Sequence, residues 1–332
     1  MMAAELSALK GLDFLSSADF NGAQTQALLT LAADIKAGRR NPRLDGKVLG
    51  LIFSKASTRT RVSFTVAMAR LGGQTIDLNP SVSQVGRGEP IEDTARVLSR
   101  YLNAVAIRTF AQSDLQAYTD AASIPIINAL TDLEHPCQAL ADYLTMQEAF
   151  GSLEGLTMTY VGDGNNVAHS LLIAGALLGV NVRIGCPAGF YPLEEVVAQA
   201  KAIAAGRSEI VISEDPSEAV RGAHAVYTDV WASMGQEEEQ STRVQAFRGF
   251  CVDEELMRHA DAKAIVLHCL PAHRGEEISA EVMESSASRI FDQAENRLHA
   301  QQALLATLLG AGERNPMPCI IWRMEGLWPL AA

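Results

Sequence analysis

The sequence predicts an α/β protein made of two parallel-sheet domains with the active site in the cleft between them. Three observations carry that expectation. Short apolar, β-prone runs alternate with amphipathic helical segments. The alternation comes in two series, separated near Gly151 to Gly155. The 332 residues exceed one typical domain and suffice for two, each with its own core.

In chain order, the first strand is "KVLGLIFS", ending at Ser54. The helix after it, "TRTRVSFTVAMARLGG", places Val62, Val66 and Ala69 on one face and stops at Gly72 and Gly73. Strands "TIDL", "AVAI" and "IPIIN" follow, with an amphipathic helix over 91–103 whose Ile91, Ala95, Leu98 and Leu102 share a face. The second series runs "LTMTYVG", "VNVRIGC", "EIVIS", "AVYTD" and "AIVLHC", interleaved with helical segments such as "LEEVVAQAKAIAA". The end, "NPMPCIIWRMEGLWPLAA" from Asn315, has no clear period and receives no function.

Composition narrows the functional classes. A net charge of −12 opposes nucleic acid and anionic membranes, so an anionic ligand needs a local basic cluster. No apolar run is long enough to span a bilayer, and Glu5 and Asp13 interrupt the start, which therefore resembles neither signal nor transit peptide. A cytoplasmic protein is expected. Its five cysteines are scattered without a C-x-x-C pair, which disfavours disulfide and zinc frameworks.

"SKASTRTR", residues 54–61, sits where a strand hands over to a helix. First-turn amides lack partners inside the helix and its N-terminus is partly positive, so Ser57, Thr58, Arg59 and Thr60 form either a phosphate seat or a serine cap flanked by solvated arginines. Other strand ends weigh on that choice, because ligands of open parallel sheets bind beyond the carboxyl ends of the strands. "AVAI" ends at Arg108; "IPIIN" leads to His135 and Gln138; "MTYVGDG" leads to Asn165 and Asn166; "AVYT" ends at Asp229; "AIVLH" ends at Cys269. Each has a plainer reading: surface ion pair, helix cap, turn residue or small buried hydrophobe.

Two further chemistries are disfavoured. "VGDGNNVAHS" has Gly162 and Gly164 but Val167 at the third position of a dinucleotide fingerprint, and no acidic ribose partner follows. His268 adjoins Cys269 on a strand and so points to the opposite face, poorly placed as the base of a cysteine nucleophile.

Taken together, "FSKASTRTR", "HPCQ", "DVWASMGQE" and "HCLPAHRGEE" resemble, in order and separation, the signatures of the aspartate/ornithine carbamoyltransferase family, the last two marking its ornithine branch. The resemblance spans roughly residues 8–310. It implies transfer of the carbamoyl group from carbamoyl phosphate to the side-chain amine of L-ornithine, giving citrulline, in arginine biosynthesis, without metal or cofactor. Ser57, Thr58, Arg59 and Thr60 would hold the phosphate; Arg108, His135 and Gln138 the carbamoyl end, with Cys269, Leu270 and Arg297 completing that side. Gln84 would come from a neighbouring subunit, implying a homotrimer or a multiple of it. Asn166, Asp229, Ser233 and Met234 would hold ornithine, and Arg108, His135, Asp229 and Cys269 would be catalytic.

The expected division is a carbamoyl-phosphate domain over 1–150, an ornithine domain over 151–295, a helix over 296–310 returning to the first domain, and a tail over 311–332. Within the active-site turn, Arg61 is expected to be structural. Pro90 departs from the serine the family commonly has there. Putrescine or an acylated ornithine is the alternative acceptor, and a catalytically dead binding protein of this fold is the reading outside the enzymes.

Overall fold

The structure is a computed structural model and describes residues 2–55, 57–79, 88–232 and 240–313. In the first half, strands β1 (Val48–Phe53), β2 (Gln74–Asp77), β3 (Ala104–Arg108) and β4 (Ile126–Leu130) form a parallel sheet in the order β2-β1-β3-β4. Helices α1 (Gly22–Lys36), α2 (Thr58–Arg70), α3 (Ile91–Leu98), α4 (Gln112–Ala121) and α5 (Pro136–Phe150) accompany it. The second half repeats the plan with β5 (Thr157–Val161), β6 (Asn181–Gly185), β7 (Ile210–Ser213), β8 (Ala225–Thr228) and β9 (Ile265–His268), in the parallel order β9-β8-β5-β6-β7. Helices α6 (Asn166–Leu178) and α7 (Glu194–Ala204) belong to it.

Strands β3, β5 and β8 in the sheet interiors, and β9 at an edge, are buried along their whole length. That is why they read as continuous apolar runs rather than alternating ones: helices cover both faces of each sheet. The last helix, α8 (Ile290–Leu308), begins six residues before the expected 296 and packs against α5, α1 and α2 of the first half. Its Ala303, Leu304 and Leu305 are fully buried, and this places Arg297 beside first-half residues. Among the described residues, no helix is long and apolar enough to cross a membrane.

Two local expectations are corrected. The core face of α2 carries Thr60, Phe64, Ala67 and Met68, whereas Val62 is 54% exposed and Ala69 is exposed. Phe64 and Met68 offer more apolar area than two valines and an alanine, so they take the interior; truncating a fully buried Phe costs about 3–5 kcal/mol. The helix expected over 91–103 stops at Leu98, although Ala95 and Leu102 are buried in one cluster with Ile91 and Leu98 packed against it. Gly72 meets its expectation: it follows the C-cap of α2 with φ +83°, a conformation that costs glycine little.

The strand order reverses between β1 and β3 in one sheet and between β5 and β8 in the other. At such points the connections diverge and leave a crevice beyond the strand ends. The segments after β1, β4, β5, β8 and β9, with Arg108 at the end of β3, carry most of the residues singled out in the sequence.

Candidate active site

A cavity of about 890 Å³ opens between the two halves. Ser57, Thr58, Arg59, Thr60, Arg108, His135, Asn166, Asp229, Cys269, Leu270 and Arg297 all line it. Gln138 is buried but is not on the cavity wall. Gln84, Ser233 and Met234 lie outside the described residues.

The turn after β1 discriminates between cap and anion seat. Ser57 occupies the N-cap position of α2 with φ −159° and ψ 105°, yet its side chain makes no capping bond. Its hydroxyl instead accepts a long contact, 3.5 Å, from Arg108 Nη1. The first-turn amides are thus not met by the residue best placed to cap them, which leaves an anion seat.

Three arginines converge on that seat. Arg108 closes β3, Arg297 comes from α8, and Arg59 donates through Nη2 to Leu270 O at 2.7 Å. Arg297 Nη2 also donates to Thr60 Oγ1. Among the described residues none of the three forms an ion pair with a carboxylate, and the buried Nε of each lacks a partner. Burial first, then the neighbouring Arg297 and Arg59, pulls Arg108 down to about 10. Arg297 is lowered chiefly by burial as well. Buried cations without counter-charge are costly, and a phosphate-bearing ligand would relieve that cost.

His135 starts α5 as its N-cap residue but caps nothing with its ring. Its backbone N–H donates to Ser170 Oγ at 2.9 Å, and Nδ1 is buried without a partner among the described residues. Burial, followed by the fields of Arg297 and Arg108, holds its pKa well below the ordinary histidine value. The ring is therefore neutral near pH 7, a donor at one nitrogen and an acceptor at the other.

Across the cleft, Asp229 follows β8 and Cys269 follows β9. Cys269 Sγ donates to Asp229 Oδ1 at 3.0 Å, while Asn165 Nδ2 donates to Oδ2 at 3.3 Å. Burial, reinforced by Asp229, pushes the thiol pKa well up, so Cys269 acts as a hydrogen-bond donor and not as a thiolate nucleophile. His268 faces away as the strand geometry predicts: Nδ1 accepts from Leu270 N at 2.8 Å and Nε2 meets the buried Glu277 at 3.0 Å. Asp229, His268 and Cys269 do bring ligand atoms within 4.8 Å of one another, but those bonds already engage both nitrogens of His268.

The two asparagines divide their work. Asn165 caps α6, accepting from Val167 N and Ala168 N, and Asn166 Nδ2 donates to Thr131 O at 2.6 Å, joining the second half to the loop before His135. Gly164 permits a close approach here, since a Cβ would stand 2.1 Å from Pro192 N. Gly164 of "GDGNN" thus serves close loop packing.

Several neighbours carried no clear sequence signal. Lys55 lines the cavity, bonded to Asp132 at 2.7 Å with its ammonium 4.0 Å from the Phe110 ring centroid. Arg243, from the helix Gln240–Ala246, reaches Asp163 at 2.8 Å. Lys55 lies inside the polar turn and could be found there; Arg243 lies six residues beyond "DVWASMGQE" and inside none of the quoted stretches.

Fold and site define a two-domain α/β enzyme whose arginine-lined anion seat faces a hydrogen-bonded carboxylate across a cleft. The family description "Aspartate/ornithine carbamoyltransferase, carbamoyl-P binding domain" matches residues 12–148, and its "Asp/Orn binding domain" matches residues 154–308. The chain belongs to the aspartate/ornithine carbamoyltransferase family. It is 70% identical over 309 residues, 93% of this chain and 97% of the relative, to the ornithine carbamoyltransferase of Parasynechococcus marenigrum (strain WH8102). It also resembles the crystal structure of the Gloeobacter violaceus ornithine carbamoyltransferase: TM-score 0.83, 56% identity, covering 90% and 98% of the two chains. The corresponding enzyme of Pyrococcus furiosus gives a TM-score of 0.87 at 48% identity, covering 91% and 98%.

Proposed function

We infer that the protein transfers the carbamoyl group of carbamoyl phosphate to the side-chain amine of L-ornithine, giving L-citrulline and phosphate. The observation that carries this reading is the triad Arg59, Arg108 and Arg297, the last two buried and none ion-paired with a carboxylate among the described residues, facing the Asp229–Cys269 pair. High identity to ornithine carbamoyltransferases over nearly the whole chain supports the same acceptor.

In this reading the amides and hydroxyls of Ser57, Thr58 and Thr60, with Arg59, seat the phosphate. The neutral δ-amine attacks the carbonyl carbon, and negative charge grows on the carbonyl oxygen. Thr60, Arg108 and His135 would stabilise that charge more strongly than the ground-state carbonyl. The C–O bond to phosphate then breaks, and the amine loses one proton, for which the departing phosphate is the acceptor. Arg59 and the helix amides support the charge that leaves.

The amine itself must first be neutral, although an alkylammonium of this kind has pKa about 10.4. Asp229 and Cys269, with Asn166, orient the amino acid at the opposite wall; the protonated thiol is a neutral neighbour that adds no charge of its own. Holding both small substrates in register supplies much of the rate, up to about 7–11 kcal/mol in the best model systems.

The division into a carbamoyl-phosphate domain over 1–150 and an ornithine domain over 151–295 belongs to this proposal. So do the homotrimer with Gln84 reaching a neighbour's site, the cytoplasmic location and the place in arginine biosynthesis. Assay of the purified protein with carbamoyl phosphate and, in turn, ornithine, N-acetylornithine, putrescine and aspartate tests the reading. Citrulline from ornithine alone is expected; none from ornithine overturns it.

A further inference from the structure

Four buried groups form a line of hydrogen bonds that no step above uses. The backbone N–H of His268 donates to Gln293 Oε1 at 2.8 Å. Gln293 Nε2 donates to Asp142 Oδ1 at 2.7 Å, and Gln138 Nε2 donates to the same oxygen at 2.7 Å. Asp142 and Gln293 are fully buried, and His268 and Gln138 are 1% exposed.

The polarity of this line follows from its first member. A backbone N–H can only donate, so Gln293 must present its carbonyl oxygen to His268 and its amino group to Asp142. Asp142 Oδ1 is then an acceptor, and Gln138 must also present its amino group. The opposite amide orientation would set two acceptor oxygens 2.7 Å apart. That leaves Gln138 Oε1, which is buried without a partner among the described residues; Gln138 lies one helical turn after His135, which lines the cavity. An orphaned buried acceptor calls for a donor.

We propose that Asp142, held by Gln293, is a positioning residue that locks Gln138 as a hydrogen-bond acceptor and so makes the enzyme select the NH₂ of a carbamoyl donor over the methyl of an acetyl donor. The proposal rests on the reading of the site as a carbamoyl-phosphate site. A site built to bond an NH group rejects the analogue lacking it, because its own acceptor is then stranded. Burial raises the Asp142 carboxyl to about 7, with the Tyr227 hydroxyl beside it acting the other way; Oδ2 is the oxygen that neither glutamine uses, so a proton there leaves Oδ1 accepting.

The test measures KM for carbamoyl phosphate and Ki for acetyl phosphate, each with ornithine, in the parent, Asp142→Leu and Asp142→Asn. Leucine removes the acceptor at similar size and frees the Gln138 amide. Its KM for carbamoyl phosphate should rise at least tenfold while Ki for acetyl phosphate changes less than threefold. Asparagine can keep Oδ1 toward both glutamines and should restore the parent's ratio of Ki to KM within threefold. An unchanged ratio in Asp142→Leu, with both constants moving together, would overturn the relay. So would a tenfold loss of the ratio in Asp142→Asn, which decides the matter even where the leucine variant fails to fold. A parent that forms no citrulline from carbamoyl phosphate and ornithine would instead sink the underlying reading.

Discussion

The thiol of Cys269 donates to Asp229 Oδ1 across 3.0 Å, joining the ends of two neighbouring parallel strands at the wall that faces the anion seat. With its pKa raised by burial and by that carboxylate, the sulfur keeps its proton and keeps the carboxylate in place. Cys269→Ala is expected to raise KM for ornithine about tenfold, the worth of one hydrogen bond of about 1.4 kcal/mol, with KM for carbamoyl phosphate changed less. Cys269→Ser, which still donates, should fall between. Equal kinetics in parent and alanine variant, including an unchanged pH profile, would remove the thiol from the mechanism.

Arg59 and Arg61 have different duties two residues apart. Arg59 lines the cavity and reaches Leu270 O, whereas Arg61 pairs with Asp77 and lies 4.8 Å from the Phe53 ring centroid. Arg59→Ala should raise KM for carbamoyl phosphate more than tenfold. Arg61→Ala should leave it within twofold and cost less than about 1 kcal/mol in urea unfolding, as expected for a partly exposed pair. The reverse pattern would reassign the turn.

His135 makes a prediction in acid. Its pKa is depressed in the folded state, so on lowering pH the unfolded chain takes up the proton first and stability falls below about pH 6.5, by up to about 1.4 kcal/mol per unit. His135→Gln removes that proton. Urea unfolding at pH 7 and pH 5 should show a smaller loss in the variant than in the parent. Parallel losses would mean that His135 titrates normally. Activity should fall in the same variant, because the ring's donor to the carbonyl is replaced by a longer, softer amide.

The sequence carried much of this, and its failures have causes. Strand runs and the polar residues at their carboxyl ends were legible because a doubly covered parallel sheet forces both. The division of labour between Asn165 and Asn166 was not, since either could cap a helix and only the chain path brings Thr131 O within reach of one. The face that Val62, Val66 and Ala69 share is not the core face of α2, because the larger Phe64 and Met68 take the interior. Gln138 is legible from its motif, but what sets its amide lies one helical turn away in Asp142 and 155 residues away in Gln293, and the Gln293 contact exists only once α8 crosses back.

The most direct test of the account is the steady-state yield of citrulline and phosphate from carbamoyl phosphate and L-ornithine, compared between the parent and Arg108→Ala. The account expects one citrulline per phosphate in the parent and a fall in kcat of at least about a hundredfold in the variant, as for loss of one donor to a developing oxyanion. Phosphate release without citrulline, or an Arg108→Ala enzyme as fast as its parent, would contradict it.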